Sequence, residues 1–242
     1  MNFLIFGGVN TRDYGVYINH DGIYNTPARA VERVEVPGRN GDVIRDQGRF
    51  ENVTVTYGAH TDEEMKARFG ALRQALMSQT GYQRLEDTYR PEEFRVGRFT
   101  GDTEVSPSQM GREGYMELTF DCKPQRFLKS GEESIYMAAP RELWNYGMES
   151  LPMIRVYGNV NDDESSPTGP AYLTIGDVTI RIDYLHNVVG IDCETQDAFK
   201  NNQNCNGHIY APAFPSLKPG RNEISWSGNI AGIDVIPRWW TV

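Results

Sequence analysis

The chain has 242 residues, enough for one large domain or two ordinary ones, and 39% of them are hydrophobic, so it can bury a core and wholesale disorder is excluded. Lysine and arginine number 24 against 33 aspartates and glutamates, giving a net charge of −9; such an acidic surface argues against a general binder of phosphate backbones, which needs clustered cations. No apolar run approaches the ~18 residues that a membrane helix requires, and Met1-Asn2-Phe3-Leu4-Ile5-Phe6-Gly7-Gly8 lacks the basic flank of a signal peptide. A soluble protein made in the cytoplasm is expected.

Glycine (24) and proline (13) punctuate the chain at short intervals, and alternating segments lie between them. The first strong signal is Pro37-Gly38-Arg39-Asn40-Gly41-Asp42. It could cradle an anion, but no helix pattern and no Lys-Ser/Thr follow it, as a P-loop demands. With Val34 and Val36 before it and Val43 and Ile44 after it, Asn40-Gly41 predicts a tight type I′ hairpin turn. Val53, Val55 and Tyr57 then alternate with Asn52, Thr54 and Thr56, the period of a strand with one buried face.

A helix follows. Thr61-Asp62-Glu63-Glu64 predicts a capping box in which Thr61 and Glu64 each satisfy a free amide. Met65, Phe69, Leu72 and Leu76 make one apolar stripe, Lys66, Arg73 and Gln74 take the wet face, and Gly81 is the expected stop. Such a helix beside strands is expected to pack on a sheet. The polar segment from residue 90 to 109 precedes another alternation, Met116, Leu118, Phe120 and Cys122 against Glu117, Thr119 and Asp121.

From residue 127 to 152 sustained alternation stops, which predicts a domain boundary near residue 131. Residues 1–131 then form one domain, and 132–242 a second of short strands, sized for a sandwich or jelly roll. Asp162-Asp163-Glu164-Ser165-Ser166 reads as an exposed loop without the oxygen spacing of a Ca²⁺ site. Leu173 and Ile175, then Val178, Ile180 and Ile182, flank Gly176-Asp177, a two-residue hairpin turn with Gly176 at positive φ.

Chemistry is sparse. Cys122, Cys193 and Cys205 are an odd, widely spaced set without a C-x-x-C pair, so free thiols are expected. Cys193 sits in a strand-like run and is expected to be buried. His20, His60, His186 and His208 are scattered, and there is neither a G-x-S-x-G elbow nor an H-E-x-x-H pair. His60 near Glu63 and Glu64 lies at the helix entrance, where capping accounts for the acids. The paired acids Glu63-Glu64, Glu92-Glu93 and Glu132-Glu133 read as solvated loops. No catalytic residue, metal ligand or cofactor site is assigned. The aromatic residues Tyr210, Phe214, Trp226, Trp239 and Trp240 leave open a carbohydrate-binding, lectin-like role for the second domain, with Trp226 placed in the core by alternation.

Several short motifs, in order and spacing, resemble the distal tail protein family of siphovirus-type bacteriophages along nearly the whole chain. In the first half they are Phe6-Gly7-Gly8, Asp13-Tyr14-Gly15-Val16, Val36-Pro37-Gly38-Arg39-Asn40-Gly41-Asp42, Gly48-Arg49-Phe50-Glu51-Asn52-Val53 and Phe120-Asp121-Cys122-Lys123-Pro124. In the second half they are Asn145-Tyr146-Gly147 with Pro152, Ile191-Asp192-Cys193-Glu194, Leu217-Lys218-Pro219-Gly220-Arg221-Asn222-Glu223-Ile224 and Pro237-Arg238-Trp239. The resemblance implies a mainly β protein: a split-barrel N-terminal domain with one helix, and a galectin-like C-terminal β-sandwich. It implies a non-enzymatic role in the virion, as a hexameric ring at the tail tip without cofactor. The implied partners are further copies of the chain, the major tail tube protein, the tail-fibre hub or tail-associated lysin protein, and a receptor-binding protein. DNA would only pass through the bore, where acidic side chains would repel its phosphates.

Overall fold

The computed structural model describes residues 1–21, 25–101, 105–107, 114–159, 169–185 and 187–242. It divides into two compact units, Met1–Arg126 with Val242, and Phe127–Thr241. The strands of the first are β1 (Leu4–Phe6), β2 (Val9–Asn10), β3 (Tyr17–Asp21), β4 (Arg29–Val34), β5 (Val43–Phe50), β6 (Val53–Thr61), β7 (Gln83–Asp87), β8 (Glu93–Phe99), β9 (Val105–Pro107) and β10 (Gly114–Leu128), with α1 (Met65–Met77) after β6. The protein is mainly β, and α1 is the one α-helix among the described residues.

The first unit is organised by a curled, half-barrel sheet in the order β2-β1-β7-β8-β10-β6-β3. Its longest ladder joins β10 to β6, from Gly114 opposite Thr61 to Cys122 opposite Val53. The alternation read from the sequence is what the ladder uses. Val53, Val55, Tyr57, Met116, Leu118, Phe120 and Cys122 all point into one core with Leu4, Phe6 and Leu85. Phe120 is its aromatic centre, with ring centroids 5.1 Å from Phe6, 5.3 Å from Phe99 and 6.0 Å from Tyr57. Phe69, Leu72 and Leu76 close that core from α1, as the stripe predicted.

The expected ends of α1 are not those observed. Thr61 is the buried last residue of β6, and its hydroxyl donates to the Glu63 carbonyl (3.1 Å), so it cannot cap the helix. Glu64 is the N-cap, in a left-handed conformation (φ 47°) without a side-chain cap bond, and its carbonyl accepts from Ala67 and Arg68. The ladder takes Thr61 before the helix can use it. At the other end Ser78 caps the helix; Gly81, at φ 70°, belongs to the later turn into β7.

The second unit contains β11 (Ile135–Met137), β12 (Arg141–Asn145), β13 (Met153–Gly158), β14 (Ala171–Ile175), β15 (Val178–Ile182), β16 (Val188–Asp192), β17 (Asp197–Lys200), β18 (Gln203–Asn204), β19 (Ile209–Tyr210), β20 (Gly220–Ser227), β21 (Ile230–Ile236) and β22 (Trp240–Thr241). Two sheets, β11-β21-β13-β16-β17-β18 and β12-β20-β14-β15-β19, share one core, a β-sandwich. Ile154, Val156, Ile191, Ile233 and Val235 enter it from the first sheet; Leu173, Ile175, Ile180, Ile182 and Ile224 enter from the second. The β14–β15 turn is the expected one, with Gly176 at φ 55°. Trp226 and Trp239 pack against this core.

Buried polar side chains staple its turns. Asn145 donates to the carbonyls of Met148 and Leu217 and accepts from the Gly147 amide, while Asn222 bridges the amide and carbonyl of Lys218. Arg238 holds Asp192 by two hydrogen bonds of 2.7 and 2.8 Å. That contact, against the opposing cost of burial, keeps the Asp192 carboxyl below its ordinary value. The acidic loop at 162–166 lies outside the described residues.

Two outcomes follow for stability. Phe120→Ala removes the aromatic centre of the first core and lowers unfolding free energy by ~3–5 kcal/mol, read from urea melts. Because the folded pKa of Asp192 lies below its unfolded value of about 3.9, the ion pair stabilises fully above that pH and fades as pH falls through the folded value. Asp192→Asn is therefore less stable than the parent at pH 7, and the gap closes as the urea melts are repeated in acid.

Candidate functional site

Strands β4 and β5 form a two-stranded sheet of their own, apart from the curled sheet. Arg29 pairs with Phe50 and Val34 with Val43, with a bulge between Arg29 and Val31. Their connection is longer than a two-residue turn. It spans residues 35–42, and the tight bend within it is at Pro37-Gly38, where the Arg39 amide donates to the Val36 carbonyl (3.1 Å) and Gly38 adopts φ 80°. Proline second and a left-handed glycine third is a type II turn. Asn40 is not left-handed, so the predicted type I′ turn is absent. A strand, not a helix, follows the loop, so its amides form no phosphate cradle.

Apart from buried Ala30, this ribbon is mostly exposed. Val31, Val34, Val36, Val43 and Ile44 are exposed, Ile44 by 62%. Charge pairs cross it, Arg29 to Asp46 at 3.2 Å and Arg45 to Glu32 at 3.4 Å, and the Arg29 guanidinium lies 5.1 Å from the Phe50 ring. Exposed pairs of this kind contribute little, and an isolated two-stranded ribbon is marginal in water. Residues 29–50 carry five arginines against four carboxylates, one net positive charge in a chain of −9. Both outer edges of the ribbon lack strand partners among the described residues.

The buried charges of the first unit are not a reaction centre. Arg95 and Arg126 are 5% and 4% exposed, and both donate to the Asn25 carbonyl, at 3.0 and 3.5 Å. Glu93 lies 3.1 Å from Arg90 and 3.6 Å from Arg126. Burial, then the neighbouring cations, pulls the Arg126 guanidinium below its ordinary pKa; burial does the same to Arg95. Tyr57 donates to Asp87 (2.8 Å), and burial followed by that carboxylate raises its pKa. The gap beside these groups measures ≈ 10 Å³, room for about one water and no substrate.

The other sequence candidates are dispersed. Cys122, Cys193 and Cys205 are free thiols; burial pushes the first two up to about 12, which makes them poor nucleophiles. His60 stands 4.0 Å from Asp62 rather than beside Glu63 or Glu64, and Glu63 pairs with Arg68 at 3.2 Å. The side chains of His20 and His186 lie outside the described residues. No group of three or more metal-ligating side chains occurs among the described residues. Of the five aromatics considered for glycan stacking, only Tyr210 is exposed; Phe214, Trp226 and Trp239 pack on the core, and Trp240 donates to the Glu149 carbonyl. The exposed pair is Trp144 (51%) with Tyr146 (89%), ring centroids 6.2 Å apart. Nothing local in the sequence marks it, because the burial of Asn145 beside it rests on the distant Leu217 carbonyl.

No protein-family model matches the chain, and no curated protein matches it by sequence. Among solved structures it is similar to the Dit (gp 19.1) protein of phage SPP1, a paradigm of the hub adsorption apparatus in phages infecting Gram-positive bacteria. The TM-score is 0.77 at 11% identity, covering 100% of both chains. It also matches chains of the phage P2 baseplate in its activated conformation, with Ca (TM-score 0.45) and with Sr (0.46), each at 10% identity over 97% of both chains. At 11% identity the shared property is architecture, aligned over the length of both chains. This protein has the fold of a phage Dit hub protein, the fold that its distal-tail-like motifs imply.

Proposed function

We propose that the protein is a non-enzymatic structural component of a phage tail tip. In this reading it assembles head to tail into a hexameric ring that joins the tail tube to the tail-fibre hub or tail-associated lysin protein. The first domain (residues 1–131) builds the ring, and the second (132–242) is a galectin-like sandwich that faces outward as a platform for receptor-binding parts. The fold shared with the SPP1 protein supports this reading. The observation that carries it is the β4–β5 ribbon, whose exposed valines and Ile44 find no cover in their own unit. In a ring each copy offers one patch to a different patch on the next, so such a ribbon is buried by a neighbour. Its one positive charge meets a partner copy whose remaining residues carry ten net negative charges, which favours that heterologous contact.

Light scattering after size exclusion, with negative-stain imaging of the same fractions, tests this. Closed rings of about six copies are expected at high concentration. Ile44→Glu leaves the melting temperature of the dilute protein nearly unchanged, within about 0.5 kcal/mol for an exposed site, and abolishes the rings. Trypsin cuts the dilute protein first after Arg39, in the exposed loop, and the rings protect that bond. A strict monomer at every concentration, with Arg39 cut equally fast throughout, removes the support the ribbon gives.

A further inference from the structure

A concavity of ≈ 340 Å³ in the second unit is lined by residues of β15, β17, β18 and β19 and the segments beside them. Its floor is apolar: Ile182 and Val189 are core residues, and Ile209 is half-buried beside them. Its rim is polar and comes from the segment after β15, the β17–β18 hairpin and the short turn before β19. The size sits at the lower end of the ~300–1,000 Å³ seen for small-molecule sites.

The rim is built for hydrogen bonding that the chain itself does not use. Tyr184, Lys200, Asn201 and Gln203 line the hollow, and their side chains form no hydrogen bond among the described residues. Asp183 also lines it, and its charge is already met by Arg181 at 2.9 Å. The Tyr184 ring stands edge-on to His208, centroids 5.5 Å apart, which gives the rim an aromatic side.

These groups are held in place. Asn201 and Asn202 are both left-handed (φ 48° and 63°) between the paired residues Lys200 and Gln203, a two-residue type I′ turn. The turn fixes where the Asn201 and Gln203 side chains emerge. Tyr184 is left-handed too, at φ 56°. For a bulky residue that conformation costs of order 1–3 kcal/mol and is found where a side chain is held for a purpose.

We infer that this hollow is a binding site for an uncharged, hydroxyl-rich ligand of the size of a single sugar ring. Each primary amide offers both a donor and an acceptor, the pairing that adjacent hydroxyls require. The apolar floor receives the C–H face of a ring, and Tyr184 with His208 flanks it. A phosphate site would call for several converging cations or a nest of amides; here Lys200 is the single lining cation from lysine or arginine. The site is separate from the aromatics first considered for glycan stacking, and it does not depend on ring assembly.

Saturation-transfer NMR and calorimetry on the full chain test the assignment, with D-glucose, D-galactose and N-acetyl-D-glucosamine as probes and glycerol 3-phosphate as the anionic control. At least one neutral sugar is expected to bind and to shift the resonances of Tyr184, Asn201 and Gln203. The double variant Asn201→Gly with Gln203→Ala keeps the left-handed turn and weakens that sugar about tenfold or more, the value of one or two lost hydrogen bonds. Tyr184→Asn, which tolerates the same backbone, weakens it independently, while Trp144→Ala does not. Absence of transfer from all three sugars overturns the inference. So does binding of glycerol 3-phosphate alone, unchanged affinity in both pocket variants, or loss of binding in Trp144→Ala.

Discussion

The first unit depends on one ladder. Strands β6 and β10 pair residue for residue from Val53 to Thr61, and every second side chain of both enters the same core. A shift of one residue would turn Tyr57, Leu118 and Phe120 out to water together, so register and burial enforce each other. The ladder also decides where α1 begins. By holding Thr61 in the strand opposite Gly114 it keeps that residue out of the cap position, and α1 starts at Met65 from a left-handed Glu64. Close packing is paid for at Gly58, where the Tyr115 ring occupies the space of a Cβ.

Against that background the β4–β5 ribbon stands out by what it lacks. Elsewhere in the described chain, sheets cover their apolar faces with a helix or a second sheet. The ribbon has Val34 opposite Val43 and Ile44 opposite Arg33, and Val34, Val43 and Ile44 remain exposed. Apolar side chains left in water contribute no folding energy, and each adds roughly 25 cal/mol for every Å² that association later covers. In the proposed ring, stability and assembly are divided between elements: the ladder folds the unit, and the ribbon is left for a neighbour. The motifs that resemble those of distal tail proteins divide in the same way. Asn145, Asn222 and Arg238 staple turns and an ion pair inside the sandwich, whereas Pro37, Gly38 and Gly41 shape the loop at the end of the ribbon.

What could be read from the sequence was whatever local periodicity determines. Alternation placed Val53 to Tyr57, Met116 to Cys122 and the β14–β15 hairpin correctly, and the helical stripe named the three residues of α1 that are buried. Cap and turn chemistry was less legible, because it depends on competition between neighbours. Thr61 could serve a helix or a strand, and Asn40-Gly41 lost the bend to Pro37-Gly38 two residues earlier. The aromatics illustrate the same limit. Alternation placed Trp226, but the exposure of Trp144 follows from Asn145 being buried, and a buried asparagine is visible only once the Leu217 and Met148 carbonyls are brought to it. The rim of the sandwich hollow was invisible for a related reason: its groups come from three segments, residues 183–184, 200–204 and 208, that only the paired sheets bring together.

Charge supplies the last step. A chain of −9 repels its own copies at long range, so a ring of them needs contacts that outweigh that repulsion at short range. In the proposed ring the ribbon meets both needs, since its arginines outnumber its carboxylates and its valines and Ile44 are exposed. Salt screens the repulsion between the bodies of the copies more than it weakens burial of the apolar row. An assembly built this way tightens as ionic strength rises, whereas one held mainly by the ribbon's ion pairs would loosen.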